Sequence, residues 1–105
     1  MEKPNLDYID DIARGDTSIK KTLIDVIKNE FPKEKEDYFS SLKNKEYKKI
    51  EENVHRIKHK ISILGLIKSY EKANEFEHNL REKNISGYQD FQKILNAISE
   101  YLETI

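Results

Sequence analysis

The chain has 105 residues, 37% of them charged and 36% hydrophobic, with a net charge of −1, no cysteine, two prolines and three glycines. That length suits one domain, residues 1–105, with a single economical core. The charge balance excludes bulk electrostatic binding to nucleic acid. Without cysteine there is no disulfide framework, thiolate metal site or cysteine nucleophile, and no apolar run approaches the roughly 20 residues that span a bilayer.

A soluble, cytoplasmic, all-α domain is therefore expected, with no signal-peptide core at the N-terminus. Glu, Lys, Leu and Ile are abundant, and no alternating strand pattern of useful length occurs. The first expected helix is short, Leu6 to Ala13. Asn5 can cap its start, and Gly15 lies beyond its end, where left-handed backbone is cheap. Asp16 or Thr17 caps the second helix, with Ile19, Leu23, Val26, Ile27 and Phe31 inward. Pro32 lacks a backbone donor and is expected to kink or break it. The pattern resumes through Tyr38, Phe39 and Leu42, and Asn44 with Lys45 makes a turn.

The third helix is expected from Glu46 to Leu64. Tyr47, Ile50, Val54, Ile57, Ile61 and Leu64 form one buried stripe, and Gly65 ends or bends the helix. The fourth runs from Leu66 to Glu82, with Tyr70, Ala73, Phe76 and Leu80 inward. Residues 83–86 form a loop in which Ser86 and Gln89 fit a capping box. The last helix turns Tyr88, Phe91, Ile94, Leu95, Ile98, Tyr101 and Leu102 inward. Four long amphipathic segments with short connections predict an antiparallel up-down four-helix bundle, with the short first helix capping one end.

Such bundles host many functions, so function has to be read from side chains. With the third-helix stripe at the centre of the buried face, His55 falls about 130° away and His59 about 170° away, both toward water. Lys58 flanks the core at about 70°, where its stem can lie on apolar surface and its ammonium reach outward. Ser62 lies on the His55 side, and Ile63 falls on the exposed side. A neutral imidazole is nucleophilic and can carry a covalent phosphoryl group. Lys58, three residues on, can supply the cation such a group needs. Residues 33–60 hold nine Lys/Arg against six Asp/Glu, so His55 lies in the basic third of the chain. Ile63, and Leu66 if the helix continues, can form the apolar part of a docking patch.

His55-Arg56-Ile57-Lys58 followed by Gly65-Leu66 resembles the signature of histidine-containing phosphotransfer domains, the HPt modules of multistep phosphorelays. Leu6-Asp7, Gly15-Asp16, Phe31 with Leu42, and Phe76-Glu77 also fall where that family has similar residues. The resemblance implies that His55 accepts a phosphoryl group from an aspartate of a hybrid kinase's receiver domain and passes it to an aspartate of a response regulator's receiver. Lys58 would stabilise the phosphorylated form. His59, Ser62, Ile63, Gly65 and Leu66 would meet the partner. The receivers would supply Mg²⁺, and the chain itself would be a monomeric phosphocarrier without cofactor or kinase machinery. His59 departs from the pattern, because the family usually has glycine there.

Other readings compete. His55 and His59 have the i, i+4 spacing of a helical metal pair, but Arg56 stands where a His-Glu-x-x-His motif needs glutamate. A histidine-kinase dimerisation domain usually has an acidic residue after its histidine, which Arg56 again contradicts. A bundle that binds receivers without carrying phosphate is the remaining alternative. His78 reads as a surface residue, and Tyr70, Tyr88 and Tyr101 as packing.

Overall fold

The structure, a computed structural model, describes residues 2–105. Among these residues it is all helical: α1 (Asp7–Ala13), α2 (Thr17–Lys43), α3 (Tyr47–Ile63), α4 (Ile67–Arg81) and α5 (Tyr88–Thr104). Helix α2 packs on α3, α3 on α4 and α4 on α5, while α1 leans on α2 and α5 returns to touch α2. No helix among the described residues is long and apolar enough to cross a membrane.

Local chemistry explains most of the boundaries. The Asp7 amide donates to Asn5 Oδ1 at 3.1 Å, a turn that leads into α1, but the cap position is Leu6, not the expected Asn5, and has no side-chain cap bond. Arg14 and Gly15 both take positive φ and end it. Asp16, not Thr17, caps α2: its Oδ1 accepts from the amides of Ser18 and Ile19 at 2.9 and 3.1 Å. The expected capping box at Ser86 and Gln89 is absent. Gly87 precedes α5 without a side-chain cap, and the Ser86 amide instead donates to Asn84 Oδ1. Pro32 does not break α2, which runs on for 27 residues.

The α3 stripe is the centre of the core. Ile50, Val54, Ile57, Ile61 and Leu64 are completely buried. Behind it Tyr38, Phe76 and Phe91 join α2, α4 and α5, with ring centroids 5.0 Å apart for Tyr38–Phe91 and 5.3 Å for Phe76–Phe91. Burying a side chain of this kind is worth about 2–3 kcal/mol. Ile19 and Val26 were expected inward but are 44% and 43% exposed, and Tyr88 is also exposed.

Two lysines of α3 lie in the core wall. Lys58 faces α4, and Lys60 faces α2, where it reaches Glu30 at 2.9 Å and Glu34 at 3.3 Å. Each ammonium enters an environment where an unpaired charge would be very costly, and each therefore meets a carboxylate from the neighbouring helix. These pairs tie the rotation of α3 to both neighbours.

Candidate functional site

His55 projects from the middle of α3 with its side chain 60% exposed. The stripe one residue before it and two after it is wholly buried, so the ring's position is set by a rigid backbone. On its inner side, Nδ1 lies 3.1 Å from Glu77 Oε2 on α4. Glu77 is buried, and its other oxygen accepts from Lys58 Nζ at 2.8 Å. Arg81 Nη2 stands 3.7 Å from Glu77 Oε2 while its Nε donates to Glu51 at 2.8 Å. Burial by itself would raise the Glu77 carboxyl. The hydrogen bonds and charges of Lys58 and His55 outweigh it and hold the carboxyl below its ordinary value of 4.5.

Glu77 is thus an ionised acceptor, and an ionised carboxylate has no proton to donate. The hydrogen at the 3.1 Å contact therefore belongs to the ring, and the neutral form of His55 that fits this contact is the Nδ1–H tautomer. In that form Nε2 carries the free lone pair. Glu77 fixes the tautomer much as a carboxylate does behind a catalytic or metal-bound imidazole.

Beside the ring is a shallow hollow of about 320 Å³ lined by Tyr8, His55, Lys58, His59, Ser62, Ile63 and Tyr70. The His55 and His59 rings meet edge to face at 5.4 Å. Lys58 Nζ lies 5.2 Å from the Tyr70 ring centroid, so the aromatic face and Glu77 share its charge.

The structure brings together His55, Lys58, His59, Ser62 and Ile63. It corrects several expectations about them. Lys58 does not reach outward: its side chain is 11% exposed and bound to Glu77. Ile63 is half-buried and packs against the core. Leu66 is a core residue, almost wholly buried. Gly65 serves the turn, with its backbone covered by Asn5. The exposed isoleucine after the turn is Ile67. Nor is the surroundings' basic charge as free as the sequence suggested, since Lys58 and Lys60 are spent in buried pairs.

Glu77, Arg81, Tyr70 and Tyr8 were not singled out as site residues from the sequence. For Glu77 a signal existed. It follows core residue Phe76 and so flanks the α4 stripe, the mirror image of Lys58 beside the α3 stripe. Opposite charges flanking two apolar stripes are a readable hint that the helices face each other there. Tyr8 carries no such signal, because it depends on where α1 folds back. Among the described residues no group of three or more His, Asp or Glu is arranged to hold a metal ion, which leaves the His55/His59 pair without a third ligand. No protein-family model, curated protein or solved structure matches the chain.

Proposed function

We propose that this chain is a phosphocarrier of the histidine phosphotransfer kind. Its scaffold is an antiparallel up-down bundle of α2 to α5 with α1 across one end, in keeping with the pairing of successive helices and the return of α5 to α2. His55 Nε2 takes a phosphoryl group from the aspartyl phosphate of one receiver domain and yields it to the aspartate of another. The observation that carries this reading is the His55–Glu77 contact at 3.1 Å. It leaves one nitrogen of an exposed ring as a nucleophile of fixed direction, on a helix whose apolar stripe is wholly buried.

Lys58 then acts from beneath the ring, keeping Glu77 ionised and lending positive charge to the phosphorylated site. His59 and Ser62, which line the same hollow, supply donors beside the phosphoryl oxygens. His59 occupies room that a glycine would leave open, so it tunes which receivers fit. The partner also meets Tyr8 and Ile12, which are exposed on α1. The receivers bring Mg²⁺ and the catalytic machinery, and the chain itself is a cytoplasmic monomer that binds neither nucleotide nor cofactor.

The test is incubation with a phosphorylated receiver domain. Label should appear on the chain as acid-labile, alkali-stable phosphate and be absent from His55→Gln. Full labelling of that variant would overturn the reading.

A further inference from the structure

We propose that His55 and His59 form a reversible site for a divalent transition-metal ion of the zinc type, and that an ion bound there blocks the phosphoryl-accepting nitrogen. Binding stands on the geometry of the two rings. The block rests on the phosphocarrier reading above and adds a control to it.

Helix spacing supplies the pair. Residues four apart stand about 40° from each other around the axis and about one turn apart along it. Two imidazoles at that spacing can close on one ion. Both rings are exposed. Their centroids are 5.4 Å apart and their planes lie at 88°. Two imidazoles bound to one tetrahedral ion, at about 2.1 Å for each nitrogen–metal bond, have ring centres about 5 Å apart. The rings therefore stand at chelating distance without a change of backbone. The site is this chain's own, because a glycine in place of His59 would leave His55 a lone ligand.

His55 also has the outer support that a ligating histidine needs. Its inner nitrogen, Nδ1, meets Glu77 at 3.1 Å, which turns Nε2 and its lone pair outward. Behind the rings the charges offset one another. Lys58 is paired with Glu77 and Arg81 with Glu51, each at 2.8 Å, so an arriving cation meets little net repulsion. Tyr8 and Ser62 bring hydroxyls to the same hollow. Water fills the coordination positions that two histidines leave open. Imidazole ligands suit zinc, copper or nickel, whereas magnesium and calcium take oxygen ligands.

Coordination and phosphorylation exclude each other. Neutral imidazole has one acceptor nitrogen, here Nε2. An ion that takes its lone pair loses a water from its own shell, and no electron is transferred. Attack on phosphorus needs the same pair to form the N–P bond. Loss of the ion restores the nucleophile, so the ion is a brake and not a cofactor.

The test titrates zinc chloride into the wild-type chain in near-neutral buffer free of phosphate and chelator, followed by calorimetry and by nitrogen-15 spectra of the histidine rings. One ion should bind per chain, shifting His55 and His59 and sparing His78, the third histidine. His59→Gln should weaken binding about a hundredfold, by removing the second arm of the chelate. Labelling is then measured with phosphoramidate, whose P–N bond breaks as ammonia leaves. At a zinc concentration that fills about nine-tenths of the wild-type sites, labelling should slow about tenfold, since only the empty tenth reacts. A chelator should restore it. His59→Gln should label at almost the same rate with and without that concentration of zinc. No binding, a shift confined to His78, equal affinity in His59→Gln, or wild-type labelling indifferent to bound zinc would each overturn the proposal. Absence of any label without zinc is a different result. It removes the phosphocarrier reading and the block with it, while the titration still decides the ion site.

Discussion

At the scale of single residues, Lys58 shows what spacing reveals and what it hides. Three residues after His55 on a helix, it was bound to be a neighbour of the ring. Its flanking position at the edge of the stripe was also legible. Its partner was not, because Glu77 arrives from another helix and only tertiary packing brings the two to 2.8 Å. The consequence is energetic. Removing one member of a buried, hydrogen-bonded charge pair leaves the other uncompensated, so Lys58→Ala should lose about 3 kcal/mol of unfolding free energy, measured by urea denaturation. A change within experimental error would show that the pair is not buried as described. The same pair makes stability depend on pH in a defined direction. Glu77 has its carboxyl below 4.5 in the folded state. Its contribution is therefore complete above the unfolded value and is lost as pH falls through the folded one. Unfolding curves should weaken in acid below about pH 4.5, and Glu77→Gln should flatten this limb while leaving the neutral-pH chain less stable.

At the scale of elements, the apolar periodicity of α3 and α5 was legible because both helices are buried along one continuous face. Helix α2 was less so. Its 27 residues extend about 40 Å, against about 26 Å for the 17 residues of α3. The excess has no long helix beside it, and the seven-residue α1 covers only part of it. Ile19 lies in that stretch, whereas Val26 stands beside buried Ile27 and simply turns to the outer face of the helix. The turn between α3 and α4 was placed correctly at Gly65, for a stronger reason than periodicity gives. Gly65 has φ +76°, and a Cβ there would come within 2.6 Å of the Asn5 side chain. Asn5 cannot simply yield, since its backbone N–H donates to the Leu64 carbonyl at 2.9 Å and its Oδ1 accepts from the Asp7 amide. Gly65→Ala should then cost about 2 kcal/mol or more, from left-handed backbone strain and a displaced N-terminal segment. Thermal unfolding measures the loss, and faster amide exchange at Asp7 should accompany it.

At the scale of the whole molecule, what matters is which surface surrounds the exposed nitrogen of His55. Charge counted along the sequence made this surface basic. Folding changes that, because Lys58 and Lys60 turn into the core wall, and Lys43, Lys45, Lys48 and Lys49 cluster around the α2–α3 turn, one or more helical turns from the ring. In their place α1 brings Tyr8 to the hollow and carries Asp7, Asp10 and Asp11 on the same short helix. Docking should accordingly depend more on apolar contact than on electrostatic attraction. Tyr8 and Ile12 are 53% and 47% exposed and lie one turn apart, a pair of the kind that anchors an interface. Replacing both by alanine should cost about 2 kcal/mol of binding, or roughly a thirtyfold slower transfer from a phosphorylated receiver at subsaturating concentration. Labelling by phosphoramidate, a small donor that needs no receiver, should slow much less, since it makes no use of Ile12 and meets Tyr8 only as one wall of the hollow. Equal slowing with both donors would instead make Tyr8 and Ile12 supports of the ring. An unchanged rate with both would move the docking face off α1, toward Ile67 on the far side of the Gly65 turn.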